Sequence, residues 1–549
     1  MGVRMENVLW TIARRRYSAF PWTLTTILST HSTRSWTTNR VSSSPQRYGL
    51  SSLRWVAGCS TKASMIEETY LRPFSEIPGP RSWPLLGSLP SMATNPAFDV
   101  NRLPRLMERY FEEYGPIFRI VVPGRGIIVN ISNPQDFERL IKETSKNPVR
   151  PFFDSLRRVR ELNEDNFFQK NCMGIFVENG EEWWRVRSRV QTHTMKPSIV
   201  NSYLPRMEEV ANEFIVKLAD QRDHKRELPE DLLHELFKWA LESLCLVVLN
   251  KRIGCLDNNE EGQRIIEASV GMLDGISDCE YGFQWWRLFN SPNLRRLKRH
   301  HDVLLHVAMK AMIQTKKDLE AREPNDDTKL NFLESLLATP GLSFLDVVIF
   351  LVDLLTGGID TSSLTTVFIL YHLAINPEKQ SLLQEELDQV LGDGSYPLTP
   401  QHMDKLRYTK ACIKESLRMC PLSSILNRQT QHDICLSGYS VPRGTTVFIS
   451  LSEASKNESY FPRSSEFLPE RWLRNHPDQI TNAYASIPFS VGTRMCVGRR
   501  LAEQEICILL SRLFHKYNVG YKYEPWNPTF RLFFYPDKSQ SFTMIERQR

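Results

Sequence analysis

The chain has 549 residues, of which 41% are hydrophobic and 24% are charged, and its net charge is +6. This composition excludes an intrinsically disordered chain, and the ten scattered cysteines, none of them in a C-x-x-C pair, exclude a small disulfide scaffold. Residues 1–62 contain nine lysines and arginines against one acid, so the rest of the chain is nearly neutral. A general nucleic-acid surface is therefore excluded as well.

The first 62 residues are rich in arginine, serine and threonine and almost free of acid. This composition is typical of a mitochondrial transit peptide, and a disordered basic tail is the alternative. A membrane-anchoring helix needs about 20 apolar residues in a row, a length that no run in this segment reaches. We therefore expect a transit peptide at 1–62, a stiff proline-rich linker at 63–80 and a folded domain at 81–549.

The remaining chain predicts a mainly α fold with a minor β-rich part. Residues 116–131 have the apolar runs and the Pro123-Gly124 turn of a β-hairpin. Helical periodicity follows at 203–219, 232–249 and 304–322, and strand patterns return at 438–445 and 530–534.

The longest apolar run, from 344 to about 374, predicts the principal helix. Ser343 and Asp346 form a capping-box start, and the run stops before Asn376-Pro377. Acidic residues within the run, including Asp353 and Asp360, argue against a membrane span. We expect a central buried helix.

The strongest motif, at 489–498, contains Phe489, Gly492, Arg494, Cys496 and Gly498. It resembles the F-x-x-G-x-R-x-C-x-G haem-binding segment of the cytochrome P-450 superfamily. The resemblance implies that Cys496 is the axial thiolate ligand of haem b iron. It also implies that Arg494 pairs with a haem propionate and that the glycines let the backbone turn against the porphyrin.

The residues around this motif fit that role, with one departure. A helix is expected from Arg499 onward, and its N-terminal N–H groups would stabilise the Cys496 thiolate. Ser490 stands where the family often has glycine, a change that we expect to leave ligation unaffected. A buried structural cysteine in a glycine-containing turn is the alternative.

Two further motifs resemble the structural network beneath the family's haem loop. Glu415 and Arg418 share a helix face and match its E-x-x-R pattern, and Arg471 lies in a P-E-R-W segment between that helix and the cysteine. The resemblance implies that Glu415, Arg418 and Arg471 together fix the ligand loop.

Two motifs resemble helices that face the haem in this family. Gly357, Gly358, Asp360 and Thr361 match [A/G]-G-x-[D/E]-T, which implies room for dioxygen beside the glycines and a catalytic, proton-delivering role for Asp360 and Thr361. The alternative is a helix kink with an unrelated polar pair.

Trp183 and Arg187 match W-x-x-x-R, which implies that both side chains reach a haem propionate. The neighbouring Trp184 leaves the register ambiguous, and a plain amphipathic helix is the alternative.

The motifs occur in family order from about residue 76 onward, so the chain is identified as a member of the cytochrome P-450 superfamily. The resemblance implies a triangular, mainly α fold with haem between the long helix and the helix after the cysteine. It also implies a haem-thiolate monooxygenase that inserts one oxygen atom of dioxygen into an apolar substrate. A haem-thiolate ligand binder or isomerase is the alternative, and it would need no proton relay.

Lys410 and Lys414 lie one turn apart on the helix of Glu415 and resemble the pair with which mitochondrial members dock an acidic ferredoxin. Arg499 and Arg500 resemble arginines of that class on the same side of the haem. We expect an adrenodoxin-like ferredoxin with its NADPH-dependent reductase, and peripheral association with the matrix side of the inner mitochondrial membrane. An ordinary solvated basic face is the alternative.

Segments 408–411 and 469–477 resemble invertebrate mitochondrial members, including ecdysteroid-pathway hydroxylases. Related members oxidise foreign compounds, so a steroid is the expected substrate and a xenobiotic the alternative. Pocket-lining residues are expected at 152–153, 354–355, 421–426 and 532–533.

Overall fold

The computed structural model describes residues 71–163, 173–281, 284–322 and 330–548, and helices account for most of them. The expected transit peptide, and the linker up to residue 70, lie outside the described residues. The helices are α1 Leu89–Ala93, α2 Leu103–Tyr114, α3 Pro134–Glu143, α4 Asp154–Glu161, α5 Gly180–Met195, α6 Pro197–Ser202, α7 Leu204–Asp220, α8 Leu232–Val248, α9 Glu260–Glu280, α10 Pro292–Glu320, α11 Phe332–Leu337, α12 Phe344–Ala374, α13 Pro377–Leu391, α14 Pro400–Lys405, α15 Arg407–Met419, α16 Leu451–Lys456 and α17 Arg499–Lys516.

The strands form a mixed four-stranded sheet and three two-stranded pairs in the described chain. They are β1 Ile117–Val122, β2 Gly126–Ile131, β3 Ile425–Gln429, β4 Ile434–Leu436, β5 Tyr439–Val441, β6 Thr446–Ser450, β7 Tyr517–Gly520, β8 Thr529–Phe530, β9 Phe534–Tyr535 and β10 Thr543–Glu546. The large sheet has the order β1-β2-β6-β3, with β2 and β6 parallel and the outer pairs antiparallel. The expected mainly α architecture with a minor β-rich part is confirmed.

Helix α12 is the centre of the fold, as its composition predicts. Ser343 and Asp346 form the expected capping box at its start, and the helix ends at Ala374, before Asn376-Pro377. Helices α8, α9, α10 and α15 pack around it, so nearly every side chain from Asp346 onward is buried. None of the described helices is long and apolar enough to cross a bilayer.

Two element boundaries differ from the sequence-based expectation. Helix α10 begins at Pro292 rather than near 304, because Ser291 caps it and the buried Leu294 and Leu297 extend its apolar face. A dense run of basic residues between these positions hides that periodicity. The segment 438–445 contains only the short strand β5 and a turn at Gly444, where φ is +85°, and the next strand belongs to the large sheet.

Candidate active site

The cysteine lies in a tight loop directly before α17. The backbone N–H of Cys496 donates to the carbonyl of Phe489 at 2.9 Å and so closes the loop. Ser490 and Gly492 both adopt left-handed backbone, with φ of +57° and +79°. A left-handed non-glycine residue costs about 1 kcal/mol, which explains why glycine is usual at position 490. The Ser490 hydroxyl accepts a hydrogen bond from Arg428 at 3.2 Å, a contact that glycine lacks.

Cys496 is the only exposed cysteine among those in the described residues, where the others are buried or half-buried. Protein atoms nevertheless surround its thiol, so the side chain opens into an interior space rather than onto the outer surface. Burial raises the pKa of the Cys496 thiol, while the N–H groups of Gly498 and Arg499 and the charge of Arg187 lower it. The expected lowering of the thiol pKa by the N–H groups at the start of α17 is present, but burial raises the pKa by more. A coordinated metal ion would deprotonate the thiol outright.

Four arginines lie close together beside this loop, and the sequence motifs predicted only two of them. Arg187 from α5 and Arg494 from the loop were expected, whereas Arg428 comes from β3 and Arg150 from the segment before α4. Three of the side chains are buried and that of Arg150 is half-buried. Arg494 is fixed by its hydrogen bonds to the carbonyls of Pro148 and Glu178, at 3.2 and 2.7 Å.

These guanidinium groups have the properties of an anion site. Burial is the largest cause that lowers the pKa of each, and for Arg494 the neighbouring arginines lower it further. Arginine nevertheless stays charged in proteins, so the cluster is positive. The Nε atoms of Arg150 and Arg187 have no hydrogen-bond partner among the described residues. The two propionates of haem b fit this cluster, with the Cys496 thiol as the axial donor.

The tryptophan motif on α5 supports this cluster indirectly. The Trp183 side chain is 2% exposed, whereas that of Trp184 is 42% exposed, which resolves the ambiguous register in favour of Trp183. The guanidinium carbon of Arg494 lies 4.4 Å from the centre of the Trp183 ring. Trp183 therefore holds Arg494 in place by a cation–π contact in this structure.

Glu415, Arg418 and Arg471 meet in a buried network. Arg418 donates to both carboxylate oxygens of Glu415, at 3.0 and 2.8 Å, and Arg471 donates to one of them at 3.1 Å. Trp472 Nε1 and the backbone N–H of Leu468 also donate to Glu415, at 2.8 and 3.0 Å. The contacts join α15 to the segment 462–472, upstream of the cysteine loop.

The middle of α12 is less enclosed than the rest of the helix. Between Asp346 and Ala374 only Gly357, Gly358 and Thr361 are not buried. The Thr361 hydroxyl donates to the Gly357 carbonyl at 2.6 Å. Asp360 is fully buried, and its carboxylate accepts a hydrogen bond from the Tyr535 hydroxyl at 3.4 Å. Burial, and then the charge of Asp274, raises the pKa of Asp360 to about 8.

The two glycines have different surroundings. A methyl group at Gly357 would lie 2.9 Å from the Phe176 ring, and one at Gly358 would lie 3.0 Å from Leu244 of α8. Because successive helical residues point about 100° apart, Gly358 serves close packing of α8 on α12. Both glycines thus permit close packing of neighbouring side chains, and the room for dioxygen beside them stays a prediction.

The four expected docking cations lie on α15 and at the start of α17, but they differ in exposure and in whether they already have a partner. Lys414 and Arg500 are exposed. The Lys410 ammonium is half-buried and donates to the Met403 carbonyl, and Arg499 pairs with Glu503 at 2.9 Å. The expectation that both lysines face solvent therefore holds for Lys414 and not fully for Lys410, because the carbonyl of Met403 draws its ammonium inward.

A wall of aromatic rings lies next to Arg150. It consists of Phe152, Phe153, Phe176, Tyr281 and Phe530, whose neighbouring ring centres are 5.3–5.9 Å apart. The expected lining at 152–153 belongs to this aromatic wall, while its other members were not predicted. The expected lining at Leu355 is wrong, because this side chain is fully enclosed in the core.

Comparisons with known proteins agree with this geometry. The cytochrome P-450 family model matches residues 77–544. Among the most similar relatives is "Probable cytochrome P-450 12b2, mitochondrial" of Drosophila melanogaster, 34% identical over 83% of this chain and 87% of its own length. "Cytochrome P-450 302a1, mitochondrial" of the same species is 32% identical over 82% of this chain and 90% of its own length. "Cytochrome P-450 12b1, mitochondrial" of Drosophila acanthoptera is 30% identical over 82% of this chain and 85% of its own length. The chain belongs to the cytochrome P-450 family.

Proposed function

We propose that this monooxygenase hydroxylates an apolar, steroid-like substrate in mitochondria, using electrons from an adrenodoxin-like ferredoxin. Its overall reaction is RH + O2 + two electrons + two protons, giving ROH and water. The observation that carries the proposal is the cluster of four arginines, three of them buried, beside the accessible Cys496 thiol. Haem b, bound in this family through a cysteine thiolate, supplies dioxygen binding and reduction.

The residues of this chain have distinct roles in holding that cofactor. Cys496 would supply the thiolate ligand, which is the family's characteristic donor. Arg150, Arg187, Arg428 and Arg494 would bind the propionates, and the hydrogen bonds of Arg494 to backbone carbonyls fix the orientation of its guanidinium group.

Thr361 and Asp360 provide the proton path that distinguishes an oxygenase from a ligand binder or isomerase. Thr361 is the only hydroxyl-bearing residue of α12 after Asp346 that is not buried. Asp360 is adjacent in sequence, and a carboxyl group whose pKa lies near 8 exchanges protons readily at neutral pH. A ligand binder or an isomerase would not need a path for protons.

The aromatic wall favours a flat, apolar substrate. Phe153 and Phe176 are stacked, with ring planes 11° apart and centres 5.8 Å apart, and Phe152 contacts Tyr281. Rigid rings present a wide apolar surface with little side-chain entropy to lose. A steroid fits such a surface, and a flat foreign compound is the second candidate.

The mitochondrial location rests on the leader and on the relatives. The +8 charge and scarcity of acid in residues 1–62 are typical of an imported precursor. Three of the relatives carry "mitochondrial" in their names. Import into isolated mitochondria should remove about the first 60 residues, and a full-length protein in microsomes that resists carbonate extraction would contradict the proposal.

An exposed apolar surface supports peripheral association with the inner membrane. Leu85 and Leu86 precede β1, and Trp285, Leu288 and Phe289 lie between α9 and α10, all at least 50% exposed. The β1–β2 turn lies beside both segments, since Ser88 bonds to Val121 and Gly124 approaches Gln284. Exposed apolar clusters of this kind mark membrane or protein contacts.

Reconstitution tests the proposal. The haem-loaded protein is supplied with ferredoxin, its reductase and NADPH, and product is measured over a panel of steroids and flat foreign compounds. We expect a hydroxylated steroid and, with carbon monoxide, the red-shifted band of a thiolate ligand. Cys496→Ser should lose that band, whereas the control Cys435→Ser, at a half-buried cysteine, should keep it. Oxidation of only foreign compounds would favour the second candidate, and a retained band in Cys496→Ser would overturn the ligand assignment.

A further inference from the structure

The hairpin of β8 and β9 places the hydroxyl of Tyr535 within hydrogen-bonding distance of the buried Asp360 of α12. Tyr535 is the last residue of β9, and its hydroxyl donates to Oδ2 of Asp360 at 3.4 Å. The other carboxylate oxygen of Asp360 has no hydrogen-bond partner among the described residues. Asp360 itself is 0% exposed, so a proton reaches it only through a neighbouring group.

An ion pair lies on the outer side of the same tyrosine. Arg531, in the turn between β8 and β9, holds Asp274 of α9 with 2.8 Å between Nη1 and Oδ2. The Arg531 side chain is 54% exposed and that of Asp274 is 21% exposed, so water reaches this pair. The guanidinium carbon of Arg531 lies 5.9 Å from the Tyr535 ring centre. From solvent inward, the order is therefore the ion pair, Tyr535 and Asp360.

We propose that Tyr535 is a proton-relay residue that acts through Asp360, passing protons inward from water at the Asp274–Arg531 pair. In each transfer Asp360 first releases its own proton to the reaction site; the Tyr535 hydroxyl then gives its proton to the freed Asp360 oxygen and takes a replacement from a hydronium ion in the outer water, so that one proton moves inward and no electrons do. Two such transfers supply the two protons of each turnover. The inference rests on the proposed function and adds the entry route for its protons.

The titration properties of both groups support this order. Burial, and then the charges of Asp360 and Asp274, raises the pKa of Tyr535 far above its usual value, so the phenol stays neutral and conducts only by exchanging protons. The hydrogen bond from Tyr535 lowers the pKa of Asp360, whereas the charge of Asp274 raises it. The two neighbours therefore act on Asp360 in opposite directions.

Other charged groups on the surrounding helices have partners of their own. On α8, Glu242 binds Arg252 with 2.6 Å between the paired atoms. On α17, Glu505 accepts a hydrogen bond from Ser362. On α10, His301 lies near Arg160, which binds Asp353 of α12 at 2.6 Å. Asp274 and Tyr535 are thus the groups that set the proton affinity of Asp360.

Infrared spectroscopy of the haem-loaded protein tests the relay without turnover. The protonated-carboxyl band that disappears in Asp360→Asn is assigned to Asp360 and followed against pH. We expect Tyr535→Phe to move its midpoint upward and Asp274→Asn to move it downward, each relative to the wild type. Tyr396→Phe is the matched control, because that side chain is 75% exposed. A purely structural role would not give opposite shifts, and unchanged midpoints in both variants would overturn the proposal.

Turnover supplies the second readout. Tyr535→Phe should lower kcat roughly 10-fold, leave KM unchanged and divert electrons to hydrogen peroxide, because slowed protonation competes with loss of reduced oxygen. The solvent isotope effect on kcat should rise in Tyr535→Phe and stay unchanged in Tyr396→Phe. A wild-type rate and isotope effect in Tyr535→Phe would remove the relay and leave the proposed function intact. If the wild-type protein itself does not turn over a substrate, the proposed function is contradicted. The infrared midpoints of the variants then still test the coupling of Tyr535 to Asp360.

Discussion

Arg428 shows how a single residue connects the sheet to the cofactor site. It lies in β3, is 3% exposed, and donates to the Ser490 hydroxyl and to the carbonyl of Asn427. It has no carboxylate partner among its hydrogen bonds in the described chain, so its charge is left for an anionic ligand. A buried cation without a counter-ion is costly, and a cofactor propionate bound here would offset that cost.

We expect Arg428→Gln to weaken haem binding by about 2 kcal/mol, or roughly 30-fold, the usual range for one charged hydrogen bond. The measurement is the rate at which haem passes from the protein to an excess of a haem-scavenging apoprotein. Arg443→Gln, at an exposed turn before β6, is the control and should match the wild type. Equal transfer rates for all three proteins would place the propionates elsewhere.

Asp360 is held in its neutral form at a cost in stability. Its pKa rises from 3.8 to about 8 on folding. Between these values the unfolded chain releases a proton that the folded chain keeps, so the free energy of unfolding falls as pH rises through that window. The proton-transfer role proposed for Asp360 would therefore come at the expense of stability at neutral and alkaline pH.

Asp360→Asn should therefore stabilise the protein, and the gain should grow between pH 5 and pH 8. One pKa unit corresponds to about 1.4 kcal/mol, so the gain near pH 8 should be a few kcal/mol. Thermal midpoints of the substrate-free protein across this range check the prediction, with the exposed Asp404→Asn as the control. A gain that does not depend on pH would show that the carboxyl is ionised in the folded state.

At the scale of elements, one carboxylate joins α15 to the chain that leads to the cysteine loop. Glu415 accepts five hydrogen bonds, from Arg418, Arg471, Trp472 and the backbone of Leu468. Both arginines also donate to backbone carbonyls at 455–466. This segment has little regular structure, so the network takes the place of helix or sheet bonding there.

Glu415→Gln should lower the free energy of unfolding by about 3–5 kcal/mol, because it leaves two buried guanidinium groups without their anion. Thermal unfolding and the fraction of protein that retains haem are the measurements. Glu466→Gln is the matched control, since the Glu466 side chain is 56% exposed. A loss as small as in the control would mean that Arg418 and Arg471 are held by the backbone alone.

The sequence predicts the elements whose signals are local. Helix α12 has its cap, its apolar composition and its terminating proline within one stretch, and both of its ends match the expectation. The residues around Cys496 and Glu415 were identified because their local motifs resemble those of the family. Arg150, Arg428 and Tyr535 were not, because each is an ordinary residue of a loop or short strand. Only the folding of distant segments onto one another places them beside Arg494 and Asp360.

At the scale of the whole molecule, two exposed cations lie on the helices next to the cysteine loop. Outside the leader the chain is nearly neutral, yet α15 and the start of α17 contribute Lys414 and Arg500 to the surface. Helix α17 starts at Arg499, three residues after Cys496, and α15 packs against it. A negatively charged ferredoxin docked there would be on the thiolate side of the cofactor.

We expect Lys414→Gln/Arg500→Gln to weaken ferredoxin binding at low salt by on the order of 1–3 kcal/mol, with an unchanged substrate-binding spectrum. Both side chains are exposed, whereas Lys410 and Arg499 already have partners, so Lys410→Gln/Arg499→Gln should have the smaller effect. Titration with ferredoxin at two ionic strengths is the measurement, with the exposed Lys310→Gln on α10 as the control. Because salt screens charges beyond about 8–10 Å, the variants should converge on the wild type at high salt. Equal affinity of wild type and Lys414→Gln/Arg500→Gln at low salt would remove this face from the docking site, and with it the main structural argument for a ferredoxin rather than a flavoprotein as the electron donor.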